Sequence, residues 1–286
     1  MSPSRVDKIL WNDFELDFSH HCAVMGILNL TSDSFSDGGL YQDIDAAVAH
    51  GMEMAGYGAD IIDIGPESSR PGSKRLSAEV QTARAVPVIK QLAGSVNIPI
   101  SIDTYDASVA RAAIEAGASI INDITAGDCE GMFELAAEKK VPIILMHMQG
   151  SPEKMQESPV YGDVTSEVLG FLLDRAVKAE EKGVDRNLII LDPGIGFGKT
   201  IEHNLALIRD LDKFVESGYA VLLGASRKRF IGQITGKEKA CDRVAGTVAT
   251  SVLAQIAGVQ IVRVHDVQEN LDALKVAGRI LNCDKS

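Results

Sequence analysis

Eight short runs of consecutive apolar residues, separated by amphipathic segments, limit this chain to few folds. The runs are Cys22–Leu28, Asp60–Ile64, Ile98–Ile102, Ser119–Ile121, Pro142–Met146, Leu188–Leu191, Ala220–Leu223 and Gln260–Val264. Apolar residues that run together instead of alternating mark parallel strands covered on both faces. Helical spacing lies between them: Ile44, Ala47, Val48 and Ala55, then Ile201, Leu205 and Ile208, then Val267, Leu271, Leu274 and Leu281. Asp266 with Glu269 three residues on predicts a capping box for the last helix. Pro87 predicts a kink or break in the helix near residues 77–93.

Alternating strand and helix gives a doubly wound open sheet or a closed barrel. Eight strands in residues 22–286 favour the α/β class and a TIM (β/α)8 barrel, which takes ~250 residues. Residues 1–21, with Trp11 and Phe14, read as an N-terminal extension capping the barrel bottom. Residues 22–286 then form a single domain.

Composition excludes several classes. With 45% hydrophobic and 24% charged residues the chain is globular. Its apolar runs, such as Val141–Met146, fall far short of the ~20 residues of a membrane span. Arg5, Asp7 and Lys8 break up the N-terminus, which lacks a signal-peptide layout, so a cytoplasmic location is expected. A net charge of −12 argues against nucleic acid and anionic membranes as partners. Cys22, Cys129, Cys241 and Cys283 form no CxxC pair, so neither zinc nor a disulfide framework is expected.

In a barrel, chemistry gathers at the C-terminal strand ends. The runs lead there into Asn29, Asp63, Asp103, Asn122-Asp123, His147, Asp192, Ser226-Arg-Lys228 and Arg263-Val-His265. Asp103, Asn122 and Asp192 suit a flat, nitrogen-rich ring, because a carboxylate accepts two parallel N–H donors. Lys228, Arg263 and His265 follow the last two strands, where barrels most often hold phosphate. Asn29 neighbours the eighth strand, where it can join that anion site or offer a side-chain oxygen to Mg2+. A heterocycle at the centre with a phosphate at its edge is the reading these residue types support.

Two loops, Asn29–Gly39 and Glu67–Ser73, are rich in glycine and small polar residues and read as lids. Gly194-Ile-Gly-Phe-Gly-Lys199-Thr200 imitates a Walker A loop. Pro193, however, stands where GxxxxGK[ST] needs its first glycine. A tight turn that brings Phe197 beside the pocket is expected instead.

Together these segments resemble the dihydropteroate synthases. They are Asn29-x-Thr31-x-Asp33-Ser34-Phe35-Ser-Asp-Gly, Glu67-Ser-Ser69-Arg70-Pro71-Gly72, Ile102-Asp103-Thr, Ile121-Asn-Asp-Ile, Leu145-Met-His-Met148, Leu191-Asp-Pro-Gly-Ile-Gly-Phe-Gly-Lys199, Gly224-Ala-Ser-Arg-Lys228 and Arg263-Val-His-Asp266. The match runs in order from about residue 22 to 275. The resemblance implies a Mg2+-dependent, cytoplasmic, homodimeric transferase of folate biosynthesis. It would join 6-hydroxymethyl-7,8-dihydropterin diphosphate to p-aminobenzoate and release pyrophosphate.

Carried over by motif, Asp103, Asn122, Asp192, Lys228 and Met146 contact the pterin. Asn29, Arg263 and His265 hold the diphosphate, with Asn29 on the metal. Ser69, Arg70, Pro71, Phe197 and Ser226 form the p-aminobenzoate wall, where sulfonamides compete. Thr31, Asp33, Ser34 and Phe35 belong to a lid. Asp103, Lys228, Arg263 and His265 carry the catalysis. The implied dimer uses late helices, and Ala245–Ala257 has the small residues for close packing.

Two positions depart from the pattern. Pro66 stands where the family has glycine, and Asp106 stands where lysine is common. Two other readings share the barrel: a pterin-binding methyltransferase domain, and a non-catalytic pterin-binding paralogue. The Ser-Arg-Pro and Ser-Arg-Lys segments argue against the first. Intact Asn29, Lys228 and Arg263 argue against the second.

Overall fold

Eight parallel strands close into a barrel in a computed structural model of the chain. It describes residues 6–30, 40–67, 75–150, 155 and 159–283, and of residues 40–43 the backbone only. A two-stranded hairpin comes first, β1 (Lys8–Trp11) and β2 (Phe14–Asp17). The barrel strands follow: β3 (Ala23–Asn29), β4 (Ile61–Gly65), β5 (Ile100–Asp103), β6 (Ile120–Asp123), β7 (Ile143–Met146), β8 (Ile189–Asp192), β9 (Ala220–Leu223) and β10 (Ile261–Val264). Each pairs with the next, and β10 closes on β3. Every run expected from the sequence lies within two residues of its strand. β4, β6, β7, β8 and β9 are buried along their whole length, as two covered faces require.

Ten helices among the described residues surround the barrel: α1 (Leu40–Gly56), α2 (Ala78–Ala93), α3 (Ala107–Ala116), α4 (Met132–Lys139), α5 (Val164–Glu181), α6 (Ile201–Arg209), α7 (Leu211–Val215), α8 (Arg229–Thr235), α9 (Val244–Ala257) and α10 (Val267–Leu281). α2 runs through Pro87 without a break. Its face of Gln81, Ala85, Val88, Ile89 and Leu92 is buried, and that packing outweighs the one hydrogen bond a proline removes. Asp106 accepts from the N–H groups of Ser108 and Val109 and so caps α3.

The capping box expected at α10 is absent, for Asp266 makes no side-chain bond to its own helix. Its carboxylate is bonded to the Arg227 guanidinium, a charge-assisted pair that competes successfully with a neutral cap.

The N-terminal hairpin buries Ile9, Trp11 and Leu16 in the common core, with Phe18 beside them. Gln260, immediately before β10, donates to the Val6 carbonyl (3.3 Å). β1 also packs on the short 3-10 turn Arg186–Leu188 that leads into β8. Both contacts lie at the N-terminal ends of barrel strands, opposite the polar ends.

Candidate active site

Register brings the polar strand ends to one level. Asp103 pairs with Asn122, Met146 with Asp192, and Asn29 with Gly65. At their centre sits a residue the sequence reading left without a role. Asp63 lies inside the apolar strand β4 and is wholly buried. Its Oδ2 accepts from Asn122 Nδ2 (3.1 Å) and from Arg263 Nε (2.6 Å). Its Oδ1 is buried with no hydrogen-bond partner. The available signal was a carboxylate in the middle of Ile-Ile-Asp-Ile.

Arg263 reaches across from β10 and spans two carboxylates, donating also to Asp103 Oδ2 (2.7 Å). Only 19% of its side chain and 11% of that of Asp103 is exposed. Burial pushes the Asp103 carboxyl up to about 7, more than the nearby guanidinium pulls it down, and Asp63 adds repulsion. Arg263 is therefore an ion-pair partner here, not an unpaired cation.

A second cluster stands on β8 and β9. Asp192 accepts from the Gly194 N–H (2.8 Å), and burial raises its pKa while Lys228 opposes the rise. Lys228, the residue before α8, donates to the Ile195 carbonyl. Its Nζ stands 4.6 Å from the centre of the Phe197 ring. Burial pulls its ammonium down to about 8, against the attraction of Asp192. The Gly194–Gly198 segment is the tight turn expected, with left-handed backbone at Gly194 and Gly198. A Cβ on Gly194 would stand 1.9 Å from the His147 carbonyl oxygen, so no other residue fits.

That turn is anchored by a buried lysine. Lys199 Nζ donates to the Phe197 carbonyl (2.9 Å) and the His147 carbonyl (3.3 Å), and lies 3.0 Å from His147 Nδ1. Burial and Lys199 together hold His147 down to about 3, so its ring stays neutral. Burial also brings Lys199 down to about 7, with Asp192 opposing.

Ser226 and His265, assigned above to different substrates, are bonded to each other. The Ser226 hydroxyl accepts from the His265 N–H (3.1 Å) and lies 3.0 Å from Nδ1. A hydroxyl that accepts from that N–H can give its own proton to Nδ1, leaving the ring's other nitrogen as a donor. Between Ser226 and Lys228, Arg227 takes a left-handed backbone (φ 55°). Its N–H bonds Thr247 Oγ1 (2.9 Å), its carbonyl accepts from Arg243 (2.9 Å), and its guanidinium holds Asp266. Nothing local in the sequence signals this bracing.

Asn29 ends β3 at the exposed rim. A Cβ on Gly65 would come 3.1 Å from its Oδ1, so glycine keeps that oxygen's surroundings open. Among the described residues no three His, Cys, Asp or Glu side chains form a metal cluster. The expected residues Thr31, Asp33, Ser34, Phe35, Ser69, Arg70 and Pro71 lie outside the described residues.

Residues 25–265 match the family described as pterin binding enzyme. The dihydropteroate synthase of Escherichia coli (strain K12) is 41% identical over 279 residues, 98% of each chain. The Xanthomonas albilineans dihydropteroate synthase solved with 4-aminobenzoic acid superposes with a TM-score of 0.89 at 42% identity, covering 98% of this chain and 99% of that one. The same enzyme has been solved in complex with 7,8-dihydropteroate. The Yersinia pestis enzyme, solved with a sulfonamide drug complex, reaches 0.90 at 39% identity, covering 96% and 99%. The chain belongs to the pterin-binding enzymes and, among them, to the dihydropteroate synthases, transferases of folate biosynthesis.

Proposed function

We propose that the two buried clusters at the barrel mouth divide the synthase reaction between them. The reaction joins 6-hydroxymethyl-7,8-dihydropterin diphosphate to p-aminobenzoate. Asp103, Asn122, Asp192 and Lys228 hold the pterin, with Met146 below it. The observation that carries this reading is the carboxylate pair Asp103 and Asp192, both buried and both pushed upward by burial. Neither has the full set of donors a buried carboxylate needs, and a ring with amide and amino edges supplies them. Asp63 holds Asn122 and Arg263 in place and is a positioning residue.

Arg263 and His265 take the diphosphate. The C–O bond then breaks ahead of attack. Electrons of that bond leave with pyrophosphate, whose charge Arg263 and the His265 ring Nε2–H stabilise. The carboxylates of Asp103 and Asp192 stabilise the cation left on the pterin methylene. The neutral arylamine of p-aminobenzoate attacks that carbon, and the acidic arylammonium so formed gives its proton to the departing pyrophosphate or to water, so no strong base is needed. Phe197 and Ser226, with Ser69, Arg70 and Pro71, are assigned to the p-aminobenzoate wall, where sulfonamides compete. Thr31, Asp33, Ser34 and Phe35 are assigned to a lid that would exclude water.

The metal reading fits the donors present. One amide oxygen, Asn29 Oδ1, on an open rim is what Mg2+ uses when substrate phosphates and water complete its shell. Bound there, the ion would offset charge on the diphosphate.

Two coarser points complete the reading. The exposed apolar residues Leu253 and Ile256 on α9 and Val276 and Ile280 on α10 suit a homodimer contact. Residues 1–21 act as a cap on the barrel bottom and take no part in the chemistry.

The test is pyrophosphate release by the purified protein from dihydropterin diphosphate and Mg2+. Release that rises with p-aminobenzoate and yields dihydropteroate supports the reading. Pterin binding without any release contradicts it.

A further inference from the structure

We propose that Lys199 is a positioning residue, which clamps the turn after β8 onto His147 so that Phe197 and the Ile195 carbonyl meet Lys228. The inference rests on the reading of Phe197 as part of the p-aminobenzoate wall.

The geometry carries it in three steps. First, the turn and the segment after β7 interlock. The missing side chains of Gly194 and Gly198 leave room for the His147 and Gln149 carbonyls, which a Cβ would meet at 1.9 and 2.5 Å. The His147 N–H donates to the Asp192 carbonyl (3.0 Å), and the Tyr161 hydroxyl donates to the Gly198 carbonyl (2.9 Å). Second, Lys199 satisfies both sides at once. It is 3% exposed, and its amine has three partners within hydrogen-bond distance: the Phe197 carbonyl, the His147 carbonyl and His147 Nδ1. The neutral His147 ring is held edge-on by Phe171 (5.0 Å between centres). Third, the turn so fixed presents two groups to one cation. Lys228 donates to the Ile195 carbonyl and lies over the Phe197 ring.

A cation buried this deeply costs stability. An apolar side chain of equal length would fill the space. Its function is accounted for if the turn must be held in one place while Phe197 receives substrate. A buried cation beside Asp192 also favours the ionised form of that carboxylate.

Three variants and one control test the inference. Lys199→Met keeps the side-chain volume and removes the donors. His147→Leu removes the Nδ1 acceptor. His147→Asn places an amide oxygen near the position of Nδ1. Phe197→Ala is the control. Lys199→Met and His147→Leu are expected to raise KM for p-aminobenzoate about tenfold, with kcat changed less than threefold and pterin affinity less than threefold. His147→Asn is expected to recover most of the loss.

KM within twofold of the parent in Lys199→Met and His147→Leu, while Phe197→Ala raises it, overturns the inference and leaves the reading of Phe197 standing. An equal fall in thermal midpoint, kcat and affinity for both substrates makes the residue merely structural and also overturns it. If Phe197→Ala leaves KM unchanged, the reading of Phe197 falls and the inference falls with it. Should Lys199→Met not fold, the contrast between His147→Leu and His147→Asn decides: no difference between them is against the proposal.

Discussion

Buried polar groups stand at both ends of this barrel and answer to different partners. At the bottom two buried glutamines meet neutral backbone, although Trp11 Nε1 and Ser119 Oγ are buried there without a hydrogen-bond partner. Gln260 is fully buried, accepts from the Val221 N–H (2.8 Å) and donates to the carbonyls of Gly258 and Val6. Gln255 accepts from the Cys22 N–H (3.0 Å) and donates to the Leu274 carbonyl (2.9 Å). At the mouth the buried groups are charges that meet one another. Asp63, Asp103 and Arg263 form one bridge, Asp192 and Lys228 a second cluster, and Asp63 Oδ1 has no partner. Satisfied amides stabilise a fold. Charges buried with incomplete partners cost stability and are kept where a ligand completes them.

The sharpest way to break this contrast is to remove a mouth carboxylate. Asp103→Ala should lower pterin affinity about 1,000-fold, since two charge-assisted bonds are lost. Calorimetry showing parent-like affinity would place the pterin elsewhere. Arg263→Ala comes next. It strands Asp63 and Asp103 without their cation, so the unfolding free energy should drop by about 3 kcal/mol. Turnover with the diphosphate substrate should fall as well. If only p-aminobenzoate affinity changed, the anion site would be misplaced.

At the bottom the expected change is smaller and of another kind. Gln260→Leu leaves the Val221 N–H without its acceptor. It should cost about 1–3 kcal/mol of stability, with kcat and both KM values within twofold of the parent. A selective loss of activity would mean that the two ends are coupled.

The mildest effect is on pH dependence. Asp103 binds its proton up to about 7 in the folded protein and to 3.8 in the unfolded chain. Between those values the folded state holds more protons, so stability falls as pH rises. Lys228 sheds its proton near 8 when folded and 10.5 when unfolded. There the unfolded state holds more, so stability rises with pH. In urea unfolding of the ligand-free protein the joint contribution of Asp103 and Lys228 should therefore be lowest between pH 7 and 8. Asp103→Asn should flatten the acid side.

How far the sequence reveals all this depends on distance along the chain. Parallel strands buried on two faces leave consecutive apolar runs, so all eight were legible, as was the level of polar strand ends. Asp63 was not, because its role comes from Asn122 and Arg263, on other strands. The same holds for Lys199 with His147, and for Arg227 with Asp266, Thr247 and Arg243. Local rules failed where tertiary contacts outbid them. Packing carries α2 through Pro87, and an arginine from the segment after β9 takes the carboxylate of Asp266 from its helix.

The central claim is that charge at the mouth is held for a ligand at the expense of the fold. The unfolding free energy of ligand-free Asp103→Asn at pH 8 tests it most directly. The account predicts a protein more stable than its parent by about 1 kcal/mol or more, because a buried charge has become neutral at constant volume. A less stable protein would show that Asp103 is there to hold the barrel together, and would contradict the account.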